Sequence, residues 1–315
     1  MLQIERLVAR PQFETGKICV EDIQQILQYI HLDNPGLFYL PLKSKILIRS
    51  SGQAALELDY LYTPERIHQL DAALDSAVAT ILSREAIGNL DDYHKELAIH
   101  DYLAGSITYD HTPDDTYAAY SIIGALLRKQ AVCDGYAKAF KLLSDRAGLA
   151  TILVHGDADN EDIATDTGHA WNIIRLEGRY AHVDVTWDST AKSDGGISHA
   201  HFNLTDEQMR KDHAWNFDFI PTCDADELNY YSRIGTSIVS KTQYRDFIAD
   251  QLAHGRAQFS VRIVGKGKTL GTVSRVTREI MDSLYPRGGY SYSMSFDPRR
   301  SVVAIAMNKE RTCRL

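Results

Sequence analysis

The stretch from Cys133 to Thr186 constrains the fold more than any other part of this 315-residue chain. Ala137, Phe140, Leu143 and Ala147 recur at helical spacing, so a helix is predicted over 133–147, closed by Gly148, with Cys133 at its N-terminal end. The pattern then changes to strands over 151–155, 170–176 and 180–186. Glu177-Gly178 reads as a two-residue hairpin turn. Such a turn pairs Leu176 with Arg179, which sets Asp184 opposite Trp171 and His169 opposite Thr186. His169 and Asp184 then share one side of the sheet as diagonal neighbours, about 7–8 Å apart along the backbone. A helix followed by an antiparallel hairpin predicts an α+β domain.

These three side chains carry a recognisable chemistry. The thiolate of a cysteine is its nucleophilic form, and the positive end of a helix dipole stabilises it. The first backbone N–H groups of the same helix lack intrahelical partners and can face a developing oxyanion. His169 supplies a base for the thiol, and Asp184 would fix its tautomer. A carboxylate between Val183 and Val185 is costly on a buried strand unless something pairs with it, which favours function. His182 lies two positions before Asp184 on the same strand face and is the rival base.

The segments Cys133-Asp-Gly-Tyr-Ala, Gly168-His169-Ala-Trp171-Asn and Val183-Asp184-Val-Thr-Trp187-Asp resemble the transglutaminase-like superfamily. So do His100-Asp-Tyr-Leu with Ile107-Thr-Tyr-Asp110, and His201-Phe-Asn-Leu-Thr-Asp-Glu-Gln-Met. The resemblance covers about 91–220, and the flanks are fainter echoes of bacterial members. It implies a papain-like core with the Cys-bearing helix packed on an antiparallel sheet, and a Cys133-His169-Asp184 triad working through a thioester. The Gly-His-Ala-Trp context places the base at His169 rather than His182. Protein or peptide amides are the implied substrates, with hydrolysis favoured over amine cross-linking. Gln130 is a candidate oxyanion donor by analogy with papain-like proteases, although it stands only three residues before the cysteine. Tyr136, Trp171 and Trp187 are candidate cleft residues, and Tyr109 is equally a core candidate. The competing reading is a retired transglutaminase-like module that acts in binding or scaffolding.

The rest of the chain divides into an N-terminal α+β domain (1–90), the catalytic domain (91–222) and a C-terminal α+β domain (223–315). In the first, helices are predicted over 20–31 and 63–86, with strands over 45–49 and 54–62 joined at Ser51-Gly52. Thr63 and Pro64 mark the start of the second helix. In the catalytic domain, helices are expected over 92–106 and 117–127. The last domain reads strand, helix, strand, helix, strand, strand.

A net charge of −8, with no Lys/Arg run, argues against nucleic acid as a partner. No apolar run reaches the roughly 20 residues of a membrane helix, so a cytoplasmic protein is expected, or a secreted one if a leader has been removed. Oligomeric state is not legible. Cysteines at 19, 133, 223 and 313 form no C-x-x-C pair, so neither a ribbon-type zinc site nor a disulfide framework is expected, and no cofactor. The cysteines other than Cys133 read as inert. His199, His201 and His213 are a minor zinc alternative. Asp157, Asp159, Glu161, Asp162 and Asp166 read as a solvated acidic loop, since Asp162 stands where a calcium loop requires Gly. That loop would bias a nearby cleft toward cationic substrates.

Overall fold

The structure is a computed structural model, and it describes residues 7, 12–14, 20–41, 44–48, 53–114, 117–159, 168–190, 196–216, 220–265, 269–286 and 290–308. The Ser51-Gly52 turn, Cys19, Cys313 and the acidic residues Glu161, Asp162 and Asp166 lie outside the described residues. The chain forms two compact units. Unit 1 comprises Met1–His155 and His169–Ile173, and unit 2 comprises Gly156–Gly168 and Ile174–Leu315.

In unit 1, β1 (Gln12–Glu14), β2 (Lys45–Ile48) and β3 (Gln53–Glu57) form an antiparallel sheet in the order β1-β3-β2. Helix α1 spans Val20–Asp33 and buries Ile23, whereas Ile26 is exposed. Helix α2 spans Pro64–Ser83. Thr63 caps it by accepting from the Arg66 amide at 3.3 Å, and Ile67, Leu70, Leu74, Val78 and Ile81 form its buried stripe. A 3-10 turn over Arg84–Asn89 leads to α3 (Asp92–Ser106), capped by Asp91.

The helix expected over 117–127 is instead two short pieces, a 3-10 turn at Ala118–Tyr120 and a π-helical segment at Ile123–Arg128. Ser121 explains the break. Its hydroxyl donates to the Ala118 carbonyl at 2.9 Å and accepts from the Ile123 amide at 3.2 Å, so a side chain takes the place of helical backbone partners. Strands β4 (Thr108–Tyr109) and β5 (Gln130–Ala131) pair in parallel and deliver the chain to α4, Cys133–Arg146. Tyr136, Ala139, Phe140 and Leu143 are fully enclosed on its inner face. Lys141 keeps its ammonium satisfied inside the protein, donating to Asp145 at 3.0 Å and to the Thr151 carbonyl at 2.8 Å. Gly148, at φ 86°, supplies the left-handed stop after α4.

Strands β6 (Ala150–Ala158), β7 (Gly168–Leu176), β8 (Arg179–Val183) and β9 (His213–Ala214) follow in the sheet order β8-β7-β6-β9. The neighbouring stretches 150–155 and 169–173 belong to unit 1. In unit 2, β9 pairs antiparallel with the end of β6, Asp157 opposite Ala214. Glu177 and Gly178 both have positive φ, 52° and 81°, as a type I′ hairpin turn requires.

Strand β8 stops earlier than expected. Asp184 ends it, and Val185–Thr190 forms a short helix, α5. The Asp184 side chain accepts from the Trp187 amide at 3.1 Å, and its carbonyl accepts from the Asp188 amide at 3.2 Å. An aspartate that reaches the third amide ahead turns the chain as an N-cap does, and this overrides the β preference of Val185 and Thr186.

The remainder of unit 2 holds α6 (Asp206–Met209), α7 (Tyr230–Arg233) and the C-terminal module. In that module β10 (Ser237–Ile238), α8 (Lys241–Ala253), β11 (Gln258–Ile263), α9 (Leu270–Leu284), β12 (Tyr292–Asp297) and β13 (Val302–Met307) reproduce the expected element order. The sheet runs β10-β11-β13-β12. Tyr244 and Ile248 of α8 and Val273, Ile280 and Met281 of α9 pack with Val261, Val303 and Ile305 as one core. Among the described residues, no helix is long and apolar enough to cross a membrane.

Candidate active site

Cys133 is the first residue of α4 and is partly exposed. Val132, the capping position, has no side-chain hydrogen bond to offer, so the first amides of the helix are left for other partners. Cys133 packs against a buried cluster made of Leu32, Ala137, Leu153 and Ala170. Ala170 is the chain neighbour of His169, and Asn172 on the same strand donates to the Ala137 carbonyl of α4 at 3.1 Å. The strand that bears His169 is therefore fastened to the helix that bears Cys133. His169 is partly exposed and stacks on Trp171, with ring centroids 6.1 Å apart and planes at 19°.

Gly135 explains a glycine two residues after the cysteine. A Cβ there would meet the Ala119 carbonyl oxygen at 2.5 Å and the Ala131 methyl at 2.7 Å. The close approach seats the first turn of α4 against the segments before it.

Asp134 puts a carboxylate beside the thiol, and that charge is compensated locally. Lys138 lies 3.3 Å from it and His155 2.9 Å. Burial alone would raise the Asp134 pKa, but Lys138 and His155 hold it well below the usual carboxylate range. Lys138 also donates to the Tyr120 carbonyl at 2.9 Å, which fixes its ammonium. The sequence reading missed this Asp134-Lys138-His155 group. The signal present was the i, i+4 spacing of Asp134 and Lys138.

In unit 2, Asp184 is fully buried. Besides the Trp187 amide it faces His213, whose Nε2 lies 3.1 Å from Oδ2. The other ring nitrogen of His213 lies 2.6 Å from Asp212, which Arg300 also binds. Burial works against ionisation of Asp212, yet His201, His213 and Arg300 hold its pKa well below the usual range. His201 lies 3.7 Å from Asp188 and 3.8 Å from Asp212. Burial and Arg300 oppose its charge, but the two carboxylates prevail and raise its pKa. This buried network, which runs to Arg300 in the last hairpin, has no local sequence signal.

The other predicted residues fall as follows. Gln130 lies on β5 and is exposed. Tyr136 is a core residue whose hydroxyl donates to the Ile107 carbonyl at 2.8 Å. Trp171 is buried. Trp187 is partly buried on α5 and packs against His213 and His201, with centroids 4.6 Å and 4.9 Å away. His182 is fully buried, with Nε2 2.8 Å from Asp206. His199 stacks on Tyr230 at 3.9 Å. His201 and His213 share Asp212 as a partner, whereas His199 stacks on Tyr230.

Comparison with known proteins adds an independent observation. A family model described as the transglutaminase-like superfamily matches residues 82–185. The kyphoscoliosis peptidase of Mus musculus is 28% identical over 134 residues, which is 38% of this chain and 20% of that protein. The Homo sapiens kyphoscoliosis peptidase is 29% identical over 126 residues, 38% of this chain and 18% of that protein. The chain therefore matches about a fifth of the length of these relatives. A solved structure described as a TGase covers 62% of this chain and 56% of its own, with 16% identity and a TM-score of 0.34. Residues 82–185, the segment that carries Cys133, His169 and Asp184, thus match the transglutaminase-like superfamily.

Proposed function

We propose that this protein is a thiol-dependent enzyme acting on amides of proteins or peptides, with Cys133, His169 and Asp184 as its triad and hydrolysis as its main outcome. The observation that carries this reading is the setting of Cys133. It is a partly exposed thiol at the head of a fourteen-residue helix, packed against the strand segment that contains His169. In this scheme the sulfur of Cys133 attacks the amide carbonyl and its proton passes to His169. The resulting oxyanion is met by first-turn amides of α4 and by Gln130. Collapse breaks the C–N bond, and the amine leaves with the proton returned by His169. Water then attacks the thioester, His169 takes its proton, and the acid and the free thiol are regenerated. Asp184 orients His169, and its own carboxylate is held by the Trp187 amide and His213. Trp171 stacks on the base and limits its rotation. An amine in place of water would give cross-linking by the same thioester.

The test is a substrate screen that compares peptide or amide hydrolysis with incorporation of a labelled amine, run on the full chain and on Cys133→Ser. Hydrolysis that disappears in the serine variant supports the proposal. Turnover that survives the substitution overturns it. Absence of turnover, with Cys133 alkylated by iodoacetamide at pH 6.5 no faster than a model thiol, favours a binding module instead.

A further inference from the structure

We propose that His182, Asp206 and Cys223 of unit 2 form a binding site for a zinc ion, independent of the thiol reaction above. One ligand atom from each, a ring nitrogen, a carboxylate oxygen and the sulfur, lies within 4.8 Å of the other two. These residues come from three separate segments, and backbone hydrogen bonds lock those segments together. The His182 amide donates to the Leu204 carbonyl at 2.9 Å, and the Leu204 amide returns the bond to His182 at 2.8 Å. The Asp206 amide donates to the Cys223 carbonyl at 2.7 Å. The donors therefore stand on a frame that exists before any ion arrives, which removes much of the ordering cost of binding.

The donor set suits zinc. Zinc takes nitrogen, sulfur and carboxylate oxygen at about 2.0–2.3 Å, and a tetrahedral site then spaces its ligand atoms by about 3–4 Å. Inward movement of about 1 Å or less from the observed spacing achieves this. His182 and Cys223 are buried, while the Asp206 side chain is 32% exposed. The exposed side of Asp206 gives the ion a way in and leaves the fourth position to water. Trp215 holds the His182 ring at a centroid distance of 4.6 Å, and the Arg210 guanidinium sits over Trp215 at 3.8 Å. These neighbours fix the imidazole, as the surroundings of metal ligands generally do.

Zinc uptake exchanges the Cys223 thiol proton for one Zn–S bond, and the proton leaves to solvent.

The test uses the full chain with zinc or cobalt as the only added metal. A C19S/C133S/C313S variant leaves Cys223 as the sole thiol. We expect it to bind one cobalt ion and to show a thiolate-to-cobalt charge-transfer band. Cys223→Ser and His182→Gln are expected to weaken zinc binding by at least the roughly 100-fold that loss of supporting contacts alone can cause. Cobalt bound without the thiolate band, or no binding at micromolar metal, overturns the proposal. So does a folded Cys223→Ser chain with unchanged zinc affinity. If that variant fails to fold, the spectrum of the sole-thiol chain decides. None of these readouts depends on turnover, so failure here leaves the triad reading untouched.

Discussion

Cys133 and Cys223 are the same residue in opposite settings. Cys133 is the first residue of a long helix in unit 1, is partly exposed, and has its neighbouring carboxylate compensated by Lys138 and His155. Cys223 is buried in unit 2, and burial together with the Asp206 carboxylate pushes its thiol pKa up. The contrast teaches that reactivity in a cysteine is a property of where charge is allowed to form. Beside Cys133 the Asp134 carboxylate is offset by Lys138 and His155, whereas the Cys223 thiol faces the Asp206 carboxylate.

The largest effect expected from this contrast is chemical. Iodoacetamide at pH 6.5 should alkylate Cys133 on the order of 100-fold faster than Cys223 in the native chain, read by peptide mass mapping. Comparable rates would erase the distinction. The next effect is on stability. Arg300→Met leaves Asp212 buried without its guanidinium partner and should cost about 3–5 kcal/mol in denaturant unfolding, because breaking one side of a buried pair strands the other. A loss below about 1 kcal/mol would mean that the enclosed charges of unit 2 do not depend on one another.

Gly135→Ala tests the unit 1 side. The added methyl meets backbone at Ala119, so a cost of about 1–3 kcal/mol and slower alkylation of Cys133 are expected together. Alkylation at the wild-type rate would separate the seating of α4 from the reactivity of its first residue. The smallest expected effect is the pH dependence of Tm. His182 has a folded pKa below its unfolded value, so its contribution begins to be lost as pH falls below about 6.5. Asp134 and Asp212 are depressed as well, so their contribution is present above about pH 4 and is lost on further acidification. Asp134→Asn should flatten part of the lower step in thermal melts and leave the upper one. An unchanged lower step would show that the compensation around Cys133 does little for stability.

The same contrast explains what was legible in the sequence. Apart from Leu32, the described neighbours of Cys133 fall within residues 119–172, and helical periodicity, the Glu177-Gly178 turn and Gly148 mark that stretch in the sequence. The enclosed network of unit 2 draws Asp184, Asp188, His201, Asp212, His213 and Arg300 from across more than a hundred residues, and no local pattern marks such a meeting. Two local readings failed for one reason. Ser121 and Asp184 each present a side-chain oxygen to nearby amides, and those bonds replaced the regular backbone pattern that periodicity assumes. Strand alternation alone marks His182 as a rival base. Asp206, twenty-four residues away, then gave it a different partner.

The enclosure of Lys141 has a practical meaning. Its ammonium is held between Asp145 and the Thr151 carbonyl, across the joint from α4 to β6. Amine-directed reagents can reach it only after that joint parts. Its acylation rate therefore acts as a clock for local opening beneath the cysteine helix, read from one peptide without any substrate or ligand.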